Sequence, residues 1–203
     1  RNVIDVFEAD GETRAARYRW TTGARARGSR TRLDDTSIVD LVTRADDSGP
    51  NYEKNLLEII DMENWMRTWA LIDLASFWDA FGNPNWKNTY LYKPNGGKWV
   101  QFTWDFDVGL GVFNDPVNQG LFPSNVDTNL RRMYDNPTFV RAYWRAMEES
   151  FGDFFSGAGV TPTLEKKRAA YADAGLGFTS PFSPSGPYSL SVPNWIDQRA
   201  AFI

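Results

Sequence analysis

Two short segments of the sequence carry oxygen-bearing side chains that could bind a cation or activate a hydroxyl group. Asp79 and Asn88 precede a predicted β-hairpin, and Asp105 and Asp107 follow it. The open ends of an antiparallel hairpin lie side by side, so the two segments are expected to be neighbours. Carboxylates gathered in this way repel one another unless a cation neutralises them, which predicts Mg²⁺, Mn²⁺ or Ca²⁺ there. Each acid alone is equally compatible with a structural role in a turn.

The elements that position these residues are a long helix and the hairpin. Apolar residues at helical spacing predict a largely buried helix over 61–78, with Asp61 as its N-cap and Asp79 at its C-terminal end. Two β-rich runs, 89–92 and 98–103, flank a Pro-Asn-Gly-Gly turn and predict the hairpin. Shorter strands are predicted at 2–8 and 18–22. Further helices are predicted after a Thr36 N-cap and over 52–60, 129–134, 137–155, 161–174 with Pro162 in its first turn, and 194–203.

The composition excludes several classes of function. A chain of 203 residues with 42% hydrophobic residues can form one domain or one large lobe. Its net charge of −4 argues against a nucleic-acid partner. The absence of His and Cys removes the Ser-His-Asp triad, thiolate nucleophiles and Cys-ligated zinc. No run of about 18 apolar residues occurs, so no membrane span is predicted. The one basic stretch holds seven arginines between Arg14 and Arg32 and suits either phosphate contacts or a solvated loop.

The order of the candidate residues matches the lower lobe of a protein kinase. There a catalytic Asp, an Asn, two strands and a metal-binding Asp follow one another along the chain. The step from Asp79 to Asn88 is 88 − 79 = 9 residues, longer than in the kinase motif H-R-D-x-x-x-x-N. Phe77 and Trp78 replace the His-Arg of that motif. These departures exclude a typical eukaryotic protein kinase.

At these residues the sequence resembles the CotH kinase family, atypical kinases named after spore coat protein H. The specific matches are Asp61-Met62-Glu63-Asn64-Trp65, Trp78-Asp79, Asn88-Thr89-Tyr90-Leu91-Tyr92, Lys98-Trp99 and Trp104-Asp105-Phe106-Asp107 with Gly109. Weaker support comes from Asn136-Pro137-Thr138-Phe139, Tyr143 and Trp195-Ile196-Asp197-Gln198-Arg199. The resemblance implies secretion or a cell or spore surface location, with ATP as nucleotide and a protein Ser or Thr as substrate.

The same resemblance implies roles for individual residues. Asp79 would be the catalytic acid-base residue and Asp105 the main Mg²⁺ ligand. Asp107 is a second candidate ligand, and Asn88 a possible metal or phosphate ligand. The stretch Pro84-Asn85-Trp86-Lys87 departs from the shorter loop of the family. The candidates for nucleotide or phosphate contacts around it are Asn83, Asn85 and Lys87.

The predicted fold is α+β: a mainly helical, atypical kinase-like C-terminal lobe around a small antiparallel β-hairpin. Residues 1–35 are expected to form a strand and an Arg-rich segment that links to an N-lobe lying upstream, and residues 36–203 the lobe itself. A phosphate-covering loop and a phosphate-binding Lys are not recognisable in residues 1–60. Two alternatives to a protein kinase are a carbohydrate-active or carbohydrate-binding module and a non-catalytic Ca²⁺-binding surface protein.

Overall fold

The computed structural model describes the backbone of residues 3–7, 14–19 and 24–25 and the full residues of 36–82, 88–113, 115–122, 127–177, 179–184 and 189–203. These ranges contain seven helices: α1 (Thr36–Asp46), α2 (Tyr52–Ile59), α3 (Met62–Leu74), α4 (Thr128–Asp135), α5 (Pro137–Asp153), α6 (Gly157–Asp173) and α7 (Val192–Phe202). The predicted class, α+β and mainly helical, is confirmed.

The strands form two small antiparallel sheets. The first sheet contains β1 (Val3–Phe7), β2 (Arg14–Arg19) and β3 (Ala24–Arg25) in that order. The second is the predicted hairpin of β4 (Thr89–Tyr92) and β5 (Val100–Thr103). Thr89 pairs with Thr103 at its open end, so the segments that precede and follow the hairpin are neighbours, as expected.

The predicted strand 18–22 has the wrong start, because β2 already begins at Arg14. The run Arg14-Ala15-Ala16-Arg17 has a low intrinsic preference for strands, so strand propensity alone does not predict that β2 begins there. Pairing with β1 overrides that preference, and Ile4 lies opposite Tyr18. Residues 20–22 of the predicted strand lie outside the described part of the chain.

Helix α3 lies at the centre of the core and packs against α5. Its buried side chains include Trp65, Met66 and Trp69, which confirms the predicted apolar pattern. The predicted N-cap is also confirmed, since the Asp61 carboxylate accepts a hydrogen bond from the backbone N–H of Asn64 at 3.1 Å.

The predicted C-terminal end of this helix, residue 78, is wrong, because α3 ends at Leu74. Ser76 adopts a left-handed conformation with φ of 52° and reverses the chain. The backbone N–H of Phe77 then donates to the carbonyl oxygen of Ile72 at 2.9 Å. Phe77 is fully buried in the following turn, so the apolar spacing continues after the helix has ended. Asp79 therefore lies in a turn beyond α3.

The starts of α6 and α1 also differ from the predictions, as do those of α4 and α7 by one and two residues. Helix α6 begins at Gly157, with Ser156 as its N-cap, so Pro162 lies inside the helix rather than in its first turn. The Gly-Ala-Gly start resembles a loop in sequence, but the backbone N–H of Gly157 donates to the Asp197 carboxylate at 2.7 Å. Thr36 is the first residue of α1 rather than its cap.

Strands β1 to β3 lie before residue 35 and the helices after it. The domain boundary at residue 35 stays a prediction. In the described ranges, no helix is both long enough and apolar enough to cross a membrane.

Candidate functional site

Asp79 and Asn88 are in direct contact in the turn that follows α3. The side-chain Nδ2 of Asn88 donates to the Asp79 carboxylate at 3.0 Å and to the Asp79 carbonyl oxygen at 2.7 Å. Both residues are buried. The amide thus fixes the orientation of the carboxylate, and its own Oδ1 atom is left as the remaining ligating atom of Asn88.

The acidic loop, defined here as residues 104–113, starts beside this pair. The backbone N–H of Trp104 donates to the carbonyl oxygen of Asn88 at 3.2 Å. Asp105 has a left-handed φ of 60°, a conformation that Asp adopts more readily than most residues. Asp105 and Asp107 are exposed. The loop therefore presents two carboxylates to solvent, and it begins at a hydrogen bond to Asn88, the residue that contacts Asp79.

The middle of the acidic loop is attached to the turn after α3. Phe106 stacks on Phe77, with ring centroids 4.2 Å apart. The backbone N–H of Leu110 donates to the carbonyl oxygen of Ala75 at 2.9 Å. Gly109 passes so close that a Cβ there would lie 3.3 Å from the same oxygen. These contacts fix the loop against the segment that leads to Asp79.

The end of the acidic loop is held by Asp115, a buried carboxylate that was not predicted from the sequence. It accepts hydrogen bonds from the backbone N–H of Gly111 and from that of Phe113, the latter at 2.9 Å. Burial raises the pKa of this carboxyl, and the same N–H groups act in the opposite direction. The indole Nε1 of Trp195 donates to the Asp115 carbonyl oxygen at 2.9 Å.

A second buried polar group joins α3, α5 and α7. The hydroxyl of Tyr143 donates to the Asp73 carboxylate at 2.8 Å, and Arg199 donates to the Asp73 carbonyl oxygen at 2.7 Å. Burial raises the pKa of Asp73 well above its ordinary value, although the Tyr143 hydrogen bond and the Arg199 charge oppose this. Burial likewise lowers the pKa of Arg199.

The structure brings some of the predicted site residues together and leaves others undescribed. Asp79 and Asn88 touch, and the loop of Asp105 and Asp107 begins at a hydrogen bond to Asn88. Within the described ranges, no three acidic side chains are grouped so that they could hold a metal ion. The predicted phosphate contacts lie outside these ranges: Asn83, Asn85 and Lys87.

The donor types of this site fit Mg²⁺. Mg²⁺ in nucleotide-dependent enzymes commonly takes one or two carboxylates and completes its shell with water and substrate phosphates. Two exposed carboxylates on one loop, beside a buried amide and carboxylate, match that requirement better than an all-protein cage.

Comparison with protein families identifies the family of this chain. The model of the family described as CotH kinase protein matches residues 10–174. The chain belongs to the CotH kinase family. No curated protein matches it. Membership of the CotH kinase family makes the chain a kinase-like protein, and Asp79, Asn88 and the acidic loop all fall within the matched region. Helix α7 lies beyond it.

The buried groups of this CotH family member left only weak signals in the sequence. Asp73 stands between Ile72 and Leu74 in the apolar second half of α3, and a charged residue in such a position is the available clue. Tyr143 and Arg199 belong to the weaker family matches. Asp115 follows a Gly- and Asn-containing stretch, where an acid is ordinary and nothing marks it as buried.

Gly111 is expected to tolerate no side chain. Its φ is 81°, and a Cβ there would lie 2.8 Å from Cγ of Trp195 and closer still to Cδ1. Gly111→Ala should lower the free energy of unfolding by about 2–4 kcal/mol, from backbone strain plus overpacking. Gly175→Ala is the matched control, because Gly175 has a φ of 66° and open space around it. Denaturant unfolding should show a clearly larger loss for Gly111→Ala, and equal losses would contradict the described packing.

Asp73→Asn should flatten the pH dependence of stability. Because burial holds the folded-state pKa of Asp73 well above 3.8, the unfolded chain releases a proton that the folded chain retains. The free energy of unfolding of the parent should therefore fall as pH rises from about 4 towards the folded-state pKa, by up to roughly 1 kcal/mol per pH unit. Asparagine keeps an acceptor for Tyr143 without titrating. Urea unfolding at several pH values between about 4 and 7 gives the slope of the free energy of unfolding against pH for the parent and for Asp73→Asn. Identical slopes would refute this role for Asp73.

Proposed function

We propose that this CotH kinase family member transfers the γ-phosphoryl group of Mg²⁺-ATP to a Ser or Thr hydroxyl of a protein, at the cell or spore surface. The observation that carries the proposal is the buried Asp79 carboxylate, oriented by Asn88 at 3.0 Å beside a loop with two exposed carboxylates. This is the combination of one proton acceptor and nearby metal ligands that phosphoryl transfer requires. The surface location rests on the spore-coat origin of the family name.

In the proposed reaction, Asp79 positions the acceptor hydroxyl and takes its proton. The hydroxyl oxygen forms a bond to the γ-phosphorus, the bond from that phosphorus to the β,γ-bridging oxygen breaks, and ADP leaves with the bonding electrons. Asn88 holds the Asp79 carboxylate in one orientation, which limits the freedom that would otherwise be lost in the transition state. When bound through Asp105, Asp107 and the Asn88 Oδ1, Mg²⁺ would neutralise charge on the phosphates.

The phosphates also need cationic or N–H donors from the protein. Asn83, Asn85 and Lys87 are the proposed contacts, because they lie in sequence directly before Asn88. The arginines between Arg14 and Arg32 are a second source of positive charge. Arginine offers a planar fork of donors that suits phosphate oxygens.

Calorimetric titration with ATP, with and without Mg²⁺, is the direct test. We expect binding only when Mg²⁺ is present, and transfer of radiolabelled phosphate to a protein substrate under the same conditions. Binding of Ca²⁺ without any affinity for nucleotide would instead favour a non-catalytic surface protein. Absence of both would contradict the proposed metal site.

A second candidate function, carbohydrate binding, is favoured by the outer face of the hairpin. Tyr90, Tyr92, Phe102 and Trp104 are all at least half exposed there. Tyr90 lies directly opposite Phe102, and its ring centroid is 5.7 Å from that of Trp104. Such a row of aromatic rings, two of which carry hydroxyl groups, suits stacking on sugars.

Retention on insoluble polysaccharides would test this candidate. Trp104→Ala should reduce retention, whereas Tyr171→Ala, which removes a comparably exposed ring on α6, should not. Equal retention of parent and Trp104→Ala would exclude the aromatic row as a sugar-binding surface.

A further inference from the structure

Besides the Phe77–Phe106 stacking and the Leu110–Ala75 hydrogen bond, the segments that carry the candidate catalytic groups are connected at two further places. The hairpin joins Asn88 to the acidic loop through the Trp104 hydrogen bond. The second connection lies on the other side of the acidic loop, where residues 115–119 meet the C-terminal end of α3. Two side chains of α7 take part there: Arg199 bridges the two segments, and Trp195 donates to the Asp115 carbonyl oxygen.

Arg199 binds both segments with one guanidinium group. Its Nη2 donates to the carbonyl oxygen of Asp73 at 2.7 Å, six residues before Asp79. Its Nη1 donates to the carbonyl oxygens of Val117 at 2.8 Å and Gln119 at 2.5 Å, which follow the acidic loop. The residue is fully buried. Three carbonyl oxygens on two segments are thus held by one planar donor group.

Trp195 fixes the same segment a few residues earlier. Its indole ring packs on Gly111, where even a methyl group would overlap it. Its Nε1 donates to the carbonyl oxygen of Asp115, whose carboxylate holds the N–H groups of Gly111 and Phe113. The ring therefore packs against the end of the acidic loop and, through Asp115, orients its backbone.

Ser76 completes the connection from α3. Its hydroxyl lies 3.2 Å from the carbonyl oxygen of Pro116 and 2.5 Å from the side-chain oxygen of Gln119. Because Ser76 is the residue at which the chain reverses after α3, residues 115–119 are anchored at the point where the path towards Asp79 begins.

We propose that Trp195 and Arg199 are positioning residues that set the placement of the acidic loop relative to Asp79, although both lie beyond the region matched by the family. This inference rests on the proposed function for its catalytic meaning. The structural part of the inference, that α7 holds the acidic loop in place, rests on the contacts described above. Lysine at position 199 would supply a single ammonium in place of a fork with five N–H donors, so it could not reproduce the three contacts.

The first test measures amide hydrogen exchange in the metal-free protein. The N–H groups of Leu110, Gly111 and Phe113 report directly on the acidic loop, because the first is hydrogen-bonded to the Ala75 carbonyl oxygen and the other two to the Asp115 carboxylate. Arg199→Lys should speed their exchange at least tenfold, and the milder Trp195→Phe, which keeps a ring beside Gly111, should speed it to a smaller extent. Unchanged exchange in both variants would overturn the proposal.

Leu56→Ala is the control for general loss of stability. Leu56 is fully buried on α2, and its removal should speed exchange in α1 and α2 while leaving the acidic loop close to the parent at matched stability. If Leu56→Ala loosened the acidic loop as much as Arg199→Lys, the effect would be global and the proposal would fail.

The second test measures Mg²⁺-ATP affinity and turnover in the same variants. Positioning predicts at least a tenfold weaker affinity and a lower kcat for Arg199→Lys, with near-parent values for Leu56→Ala at a temperature where both remain folded. If the parent does not bind Mg²⁺-ATP, the proposed function fails, while the exchange measurement still decides whether α7 positions the loop. Loosened exchange with parental affinity and kcat would refute the positioning role.

Discussion

Asp79→Asn should reduce phosphoryl transfer by about 10²–10⁴-fold, the usual contribution of a positioned general base. The substitution keeps the shape of the side chain and leaves an oxygen that can accept from Asn88, so the fold of the turn should persist. It removes the group that takes the hydroxyl proton. Affinity for Mg²⁺-ATP should change far less than kcat, because the proposed role of Asp79 is in the chemical step.

Initial rates of phosphate transfer and calorimetric ATP affinities provide the two measurements. Asp135→Asn is the matched control, since it makes the same change in charge at an exposed residue that pairs with Arg131 on α4. A kcat of Asp79→Asn within a few-fold of the control would show that Asp79 is not the base.

Asp105→Asn should weaken Mg²⁺-dependent ATP binding by at least about 10-fold, because altering even the residues that hydrogen-bond to metal ligands typically costs about 10–100-fold. The substitution removes a full negative charge from the proposed ligand set. Asparagine is also tolerated at a φ of 60°, so the backbone of the acidic loop should not be strained. The effect should therefore be electrostatic rather than conformational.

Titration of ATP at several fixed Mg²⁺ concentrations measures this effect. Asp107→Asn provides the comparison within the same loop and should be milder if Asp105 is the principal ligand. Parental affinity in Asp105→Asn at matched Mg²⁺ would exclude Asp105 from the metal site. A larger loss of ATP affinity for Asp107→Asn than for Asp105→Asn would make Asp107 the principal ligand.

Local signals in the sequence predicted the elements that carry the candidate site. The Pro-Asn-Gly-Gly turn between two β-rich runs predicted the hairpin, and the Asp61 cap before an apolar period predicted α3. The end of α3 was missed because Phe77 is buried after the chain has already reversed at Ser76. Burial continues the apolar spacing across that reversal, so the pattern alone cannot show where the helix ends.

The anchors of the acidic loop were missed for a different reason. The Trp195 indole and the Asp115 carbonyl are 80 residues apart in sequence, and Arg199 and Asp73 are 126 apart. No local period or turn motif encodes such a pairing. The stretch 195–199 gave weak support to the family resemblance. The partners of Trp195 and Arg199, however, become visible only when the chain is folded.

The contacts of Arg199 also bear on the order in which parts of the chain fold during translation. The carbonyl oxygens that it holds belong to residues 73, 117 and 119, all of which are made well before residue 199. Contacts of such high sequence separation form late, because the entropy of closing the chain must first be overcome. The hairpin and α3 can form while the nascent chain is still short. The acidic loop should acquire its final position only after α7 has left the ribosome, which delays assembly of the catalytic groups until the rest of the core exists.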